Sequence, residues 1–244
     1  MLQLKYQASQ LIQLAKIKYN DWRKPEVVRI KGIKIPVLDN LPRDLQEAFY
    51  SGCYEKFELK IVKFQLQQND IVMELGTGIG LLSSFCARKI GNERVFTYEA
   101  NPALEPVIRD TYNLNNVSPN LEMCMLGDQA GEQTFYIAKG FWESSIIKHH
   151  PDFRPVKISV KAFNEEVKRI NPSFLILDIE GGEYEFFKYA NLHNIQKIAM
   201  EVHERIIGSE KAEFVKSRLI EAGFQLNNKF SYNSGRELFW QRHQ

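Results

Sequence analysis

The stretch from Asp70 to Ser84 constrains this chain more than any other: Asp-Ile-Val-Met-Glu-Leu-Gly-Thr-Gly-Ile-Gly-Leu-Leu-Ser-Ser. Ile71, Val72, Met73 and Leu75 form the apolar run of a short strand buried on both faces. Gly76, Thr77, Gly78, Ile79 and Gly80 turn the chain, because glycine tolerates positive φ and lets backbone approach a ligand. Leu81, Leu82, Phe85 and Cys86 then repeat at helical spacing. Strand, glycine turn and helix open a doubly wound parallel sheet, and ligands of such sheets lie at the carboxyl ends of the strands.

The glycine spacing separates the candidate ligands. A dinucleotide fingerprint reads G-x-G-x-x-G and sets a pyrophosphate over the helix N-terminus. Here the glycines stand at 76, 78 and 80, and Glu74 lies two residues before the first. A carboxylate there opposes pyrophosphate but suits a cationic amino group. S-adenosylmethionine carries an ammonium and a sulfonium, so the pattern favours it over NAD. Arg94 to Glu99 reads as the second strand, ending in an acid and followed by Ala100-Asn101-Pro102. At this spacing Glu99 is expected to accept hydrogen bonds from both ribose hydroxyls.

A chain of 244 residues fits one α/β domain with an extension. We divide it into an N-terminal helix and hairpin, 1–50, and a cofactor-binding domain, 51–244. A formal charge of +2 is too small to argue for nucleic acid. Cys53, Cys86 and Cys124 show no metal spacing and read as reduced buried thiols of a cytoplasmic protein. No signal peptide or membrane-spanning run is visible.

Residues 1–24 read as a helix with Leu4, Ala8, Leu11, Ile12, Ala15, Tyr19 and Trp22 on one face. That face is expected to pack on the core or on a second copy; contact with a membrane surface is the sharper alternative. Val27–Ile30 and Ile33–Val37 form a hairpin turning at Lys31-Gly32. Leu121 to Leu126 reads as a third strand, and Asp128 after Gly127 can reach the adenine amino group or simply make a turn. Gln133 to Ala138 and Val156 to Lys161 look like further strands. The loop Lys139 to Ser145, with aromatics and hydroxyls, is a candidate substrate contact, while the adjacent His149-His150 is not read as a metal pair.

The most specific stretch follows. Phe174-Leu-Ile-Leu ends in Asp178, Glu180 and Glu183, with Gly181-Gly182 between. A period of two places Asp178 and Glu180 on one face if the strand persists. Lys197 to Val202 is the next parallel strand and brings Glu201 and His203 to the same end. Glu210 to Ala222 reads as a helix before two closing strands.

These motifs resemble the FkbM-type S-adenosylmethionine-dependent methyltransferases over roughly residues 27–204. Asp178-Ile179-Glu180-Gly181 with Glu183 resembles the family's D-x-E-G hallmark. Gly52-Cys53-Tyr54-Glu55, Glu99-Ala100-Asn101-Pro102, Leu126-Gly127-Asp128, Ser144-Ser145 and Glu201-Val202-His203 support it. The chain departs from the family where the turn often reads D-V-G-A-N-I-G, at Ile176 where a lysine is frequent, and near Phe163-Asn164 where an aspartate is frequent.

The resemblance implies a Rossmann-like class I methyltransferase with a mostly parallel seven-stranded sheet. It implies O-methylation of a small natural product, saccharide or glycolipid. The cofactor set is then Tyr54, Glu55, Glu74, Gly76, Thr77, Gly78, Gly80, Glu99, Ala100, Asn101, Gly127, Asp128 and Asp178. For catalysis, His203 is the expected base, since a histidine titrates near neutral pH. Asp178 is the second candidate base, and Glu180 holds acceptor hydroxyls. No metal ligand is assigned, although Asp178, Glu180, Glu201 and His203 together leave a Mg²⁺-assisted transfer as an alternative. A catalytically silent cofactor-binding scaffold is another. Expected partners are a small-molecule or saccharide acceptor and a second copy through the N-terminal helix, without nucleic acid or stable membrane insertion.

Overall fold

The computed structural model describes residues 2–38, 41–137, 151–232 and 236–242, with the side chains of 2–6 and 9 outside that description. Helix α1 (Leu2–Arg23) is followed by β1 (Val27–Ile30), β2 (Ile33–Pro36), α2 (Arg43–Ser51) and α3 (Lys56–Gln65). Then come β3 (Val72–Leu75), α4 (Leu81–Ile90), β4 (Val95–Tyr98), α5 (Glu105–Asn115), β5 (Asn120–Glu122), β6 (Met125–Gly127), β7 (Gly131–Ile137) and β8 (Arg154–Ala162). The last third holds α6 (Phe163–Ile170), β9 (Phe174–Leu177), α7 (Glu183–Tyr189), β10 (Lys197–Glu201), α8 (Glu204–Ile207), α9 (Ser209–Glu221), β11 (Phe224–Leu226) and β12 (Glu237–Arg242).

The main sheet has seven strands in the order β11-β12-β10-β9-β3-β4-β5. β3 pairs in parallel with β4 on one side and β9 on the other, and only β12 runs against its neighbours. Strand order therefore reverses between β3 and β9, which is where a doubly wound sheet opens a crevice at its carboxyl edge. The Rossmann-like architecture expected from the glycine turn is the one observed.

Alternation along the strands fills both sides of the sheet. Met73, Leu75, Leu175, Leu177, Ile198 and Met200 pack under α6, α7 and α9. Val72, Phe174, Ile176, Ala199 and Phe239 face the opposite layer, with α3, α4 and the β1–β2 hairpin. The hairpin turns at Lys31 (φ 49°) and Gly32 (φ 92°), the left-handed pair that a two-residue connection requires.

Two expectations are corrected. The single third strand is two: β5 joins the main sheet, whereas β6 pairs with β8 in a separate three-stranded sheet. Met123 and Cys124 carry the chain from one sheet to the other. The apolar face of α1 does not pack on the core of its own chain: Leu11, Ile12, Tyr19 and Trp22 are exposed, and the helix is held by its other side. Cys86 and Cys124 are buried and unbridged, while Cys53 is half-buried.

Candidate active site

A cavity of about 870 Å³ opens at the carboxyl edge, between the turns after β3, β4 and β6 and those after β9 and β10. Its cofactor-like end rests on the glycine turn. A Cβ on Gly76 would lie 1.8 Å from the Asp178 carbonyl oxygen, so the turn passes directly against the end of β9. At Gly78 a Cβ would come within 3.3 Å of the Tyr54 hydroxyl and of Glu55 Oε1, the cavity wall. A Cβ on Gly80 would strike the Tyr112 ring, so this glycine serves helix packing and does not line the cavity.

Glu74 is not where the sequence suggested. It shares a sheet face with Val72 and lies buried under the turn, outside the cavity lining. Thr97 Oγ1 donates to Glu74 Oε2 at 2.5 Å and also meets the Thr77 hydroxyl, so the three side chains fasten the turn to β4. Burial pushes the Glu74 carboxyl up to about 8, against the pull of the Thr97 and Ser83 hydroxyls. Facing the sheet's helical layer and outside the cavity lining, it does not reach a ligand's ammonium. Thr77 likewise is a fastener rather than a wall residue.

Glu99 sits where expected, at the end of β4 and on the cavity wall. Its Oε2 accepts from Gly78 N at 3.0 Å and its Oε1 from Asn101 N at 2.8 Å. Each carboxylate oxygen keeps a further lone pair for a ligand hydroxyl. Burial raises its carboxyl to about 7 while these backbone amides hold it down. Ala100, Gly127 and the exposed Asp128 also line the cavity; Asn101 is buried beneath, capping the following turn.

Tyr54 and Glu55 reach the same end from the α2–α3 junction. Tyr54 stacks on Phe49 with ring centroids 4.8 Å apart. Glu55 has φ 45°, a left-handed conformation costing about 1–2 kcal/mol for a residue with a Cβ. Its Oε2 is buried without a hydrogen-bond partner among the described residues. Burial, then repulsion from Glu58 and Glu74, drives its carboxyl well above the usual range. Glu180, also at φ 45°, is the other strained glutamate on the wall. Lys24, Lys31, Asn116 and Asn171, the remaining non-glycine cases among the described residues, sit at helix ends and the hairpin turn. Glu55 and Glu180 also sit in turns, before α3 and after β9, but unlike the other four they line the cavity, and strained backbone gathers at working sites.

At the opposite end β9 stops at Leu177, so no continuing strand carries Asp178 and Glu180 on one face. The turn through Glu180 and Gly181 nonetheless aims both at His203. His203 Nδ1 lies 2.7 Å from Glu183 Oε1, and its Nε2 lies 3.2 Å from both Glu180 Oε2 and Glu201 Oε1 and 3.8 Å from Asp178 Oδ1. Burial pulls the imidazolium down, but Glu183 and Glu201, with the charges of Asp178 and Glu180, carry its pKa to about 11. The surrounding carboxylates favour the imidazolium, whose Nδ1–H then donates to Glu183 Oε1, and this argues against His203 as the base. Burial, then repulsion from Glu201 and Glu180, pushes Asp178 well above the ordinary carboxylate range, and Glu180 reaches about 7, chiefly through burial.

Glu58, Arg236 and Glu237 line the cavity too and escaped the sequence reading. Arg236 pairs with Glu201. The one signal for Glu237 was an acid opening the apolar run Leu238-Phe239-Trp240. Asp178, Glu201 and His203 offer ligand atoms within 4.8 Å of one another, as do Glu58, Glu201 and Glu237. The loop Lys139–Ser145 and His149-His150 lie outside the described residues.

The chain was compared with known proteins. No curated relative matches the sequence. Among solved structures it is similar to precorrin-6y C5,15-methyltransferase of Geobacter metallireducens GS-15, at 13% identity and a TM-score of 0.48, covering 86% of this chain and 94% of that one. It is similar to ribosomal protein L11 methylase of Lactobacillus delbrueckii subsp. bulgaricus, at 11% identity and a TM-score of 0.47, covering 90% and 100%. A third is the O-methyltransferase of Bacillus cereus in complex with SAH, at 14% identity and a TM-score of 0.41, covering 94% and 88%. A family model, the methyltransferase FkbM domain, matches residues 70–226. That match spans well over half of the chain, from the strand before the glycine turn to the first closing strand, and the chain belongs to the FkbM methyltransferase family.

Proposed function

We propose that this protein transfers a methyl group from S-adenosylmethionine to a hydroxyl of a small natural product, saccharide or glycolipid. The observation that carries the cofactor is Glu99, which presents two carboxylate oxygens to the cavity while backbone amides of Gly78 and Asn101 hold it in place. The charge of the cavity supports the same reading. Nine acidic side chains line it against Lys56, Lys188 and Arg236. Such a wall attracts a sulfonium and an ammonium and repels a pyrophosphate.

When bound, the sulfonium supplies an already activated methyl group. What remains for the protein is orientation and removal of one proton. Glu99 holds the ribose hydroxyls. Glu55, whose Oε1 lies beside Gly78 and whose buried Oε2 has no hydrogen-bond partner among the described residues, takes the ammonium role first given to Glu74. Positioning the acceptor in line supplies on the order of 7–11 kcal/mol. Asp178 accepts the acceptor proton, with Glu180 beside it, because a buried carboxylate of raised pKa is a stronger base than an exposed one. His203 positions Glu180, Glu183 and Glu201 and keeps their charges compatible.

The test is a melting experiment followed by transfer assays. S-adenosylhomocysteine at 100 times its dissociation constant should stabilise the protein by about 2.7 kcal/mol, and NAD should not. Hydroxylated acceptors should then gain one methyl by mass. A shift with NAD and none with S-adenosylhomocysteine would overturn the cofactor; transfer to carbon or nitrogen alone would overturn the hydroxyl.

A further inference from the structure

We infer that α1 docks the protein on anionic membrane surfaces, lying flat in the headgroup layer. The helix is attached by one side only. Ile17 packs at the edge of the core, Asn20 Nδ2 donates to the Tyr50 carbonyl at 2.9 Å, and Asp21 takes two guanidinium nitrogens of Arg43 at 2.7 Å each. Away from these contacts Leu11, Ile12, Leu14, Tyr19 and Trp22 stand 54% to 80% exposed. At about 100° per residue, Leu11, Trp22, Tyr19 and Ile12 fall within one arc of about 100°, and Leu14 lies beyond Lys18, towards Asp21. A contiguous apolar surface of this size on a folded protein marks a contact site. Lys18 borders the arc on one side, Lys16 and Arg23 on the other, and all three are exposed.

Charge decides what covers the arc. Asp21 is the only acid in the helix, and Arg43 already holds it. A two-fold dimer through this face would bring Lys16, Lys18 and Arg23 of both copies into one seam, and α1 has no free acid to answer them. An anionic bilayer answers all three while the apolar arc enters the acyl boundary, and Tyr and Trp favour that interface. No described helix is long and apolar enough to cross a membrane, so the helix lies on the surface rather than through it. Phe64 of α3, 61% exposed and with Lys63 5.9 Å from its ring, offers the same chemistry on the same side of the sheet. α1 bonds to α2 through Asn20 and Tyr50, and Phe49 of α2 stacks on Tyr54 of the cavity wall.

The experiment is co-sedimentation of the full chain with vesicles of phosphatidylcholine alone and of phosphatidylcholine with an equal part of phosphatidylglycerol. Binding is expected to the anionic vesicles only, weakening as salt rises. Leu11→Ser with Trp22→Ser should weaken it at least about tenfold. Lys16→Glu with Lys18→Glu should weaken it roughly fivefold for each residue changed. Circular dichroism and melting temperature should match wild type in both, since these side chains stand in solvent. Absence of binding to anionic vesicles, equal binding to neutral ones, or unchanged binding by both double variants overturns the proposal. A dimer in sedimentation equilibrium that Leu11→Ser with Trp22→Ser dissociates, without vesicle binding, replaces the bilayer with a second copy.

Discussion

The two ends of the cavity hold buried carboxylates by opposite means. At the β3–β4 end, Glu99 is held by backbone amides of the two β–α turns and Glu74 by hydroxyls of Thr97 on β4 and Ser83 on α4. At the β9–β10 end, Asp178, Glu180, Glu183 and Glu201 crowd around one imidazolium, with Arg236 on the outer side. Neutral donors fix geometry whatever the pH. A cluster of like charges around a single cation is poised to exchange a proton. The first end is built to hold a ligand still and the second to respond to one.

The largest effect should come from the crowded end. Asp178→Asn should lower turnover about 10²–10⁴-fold, the usual contribution of a general base. A base works only when deprotonated, so wild-type activity should rise with pH as the raised carboxyl ionises, near pH 7 if Glu180 is the group that titrates. Stopped methyl-transfer assays across pH decide between them. Loss of the limb in Asp178→Asn assigns it to Asp178, and loss in Glu180→Gln assigns it to Glu180. A limb that survives in both and disappears in His203→Ala would restore the histidine.

His203→Ala should also destabilise the fold by about 3–5 kcal/mol, because it leaves buried carboxylates without their shared cation. The sign with pH follows from a folded pKa of about 11 against an ordinary 6.5. The stabilisation is complete below the ordinary value and lost as pH rises through the folded one. Denaturant melts of wild type should therefore weaken between those limits, and those of His203→Ala should lack that component. Identical curves would mean that the imidazole is neutral in the folded protein.

The same contrast explains what could be read from sequence. The glycine turn, Glu99 and the parallel strands were legible because each rests on neighbouring residues with a fixed period. Glu58, Arg236 and Glu237 come from α3 and the β12 end, far apart in the chain, and only the sheet's closing strands bring them together. Asp178 and Glu180 were legible as types, but the turn that aims them needs left-handed φ at Glu180, which no propensity foretells. The split of the third strand was hidden because Leu121 to Leu126, apolar apart from Glu122, suits either sheet.

At the quieter end, Glu99→Ala should weaken S-adenosylhomocysteine binding by roughly 1.5–3 kcal/mol, and Glu99→Gln by less, since the amide keeps one acceptor. Calorimetric affinities equal to wild type for both would move the ribose elsewhere and erase the difference between the ends.

The smallest effect on binding should be that of Glu74→Gln, which sharpens the contrast because sequence alone made Glu74 a ligand. It lies beneath the turn and outside the cavity wall, so affinity for S-adenosylhomocysteine should stay within about threefold of wild type, a difference below about 0.7 kcal/mol. Glu55→Gln should cost roughly 1.5–3 kcal/mol if Glu55 holds the ammonium. What Glu74 does affect is stability against pH. Its folded pKa is raised to about 8 from an ordinary 4.5, because burial favours the neutral acid. The folded state then holds a proton that the unfolded chain releases, so its contribution is full below the ordinary value and disappears as pH climbs through the folded one. Wild type should lose stability across that interval at up to about 1.4 kcal/mol per pH unit from this residue, and Glu74→Gln, which cannot ionise, should lose less. If Glu74→Gln instead weakened the ligand as much as Glu99→Ala, the buried acid would have to turn towards the cavity when the cofactor binds, and the β3–β4 end would be as responsive as the β9–β10 end.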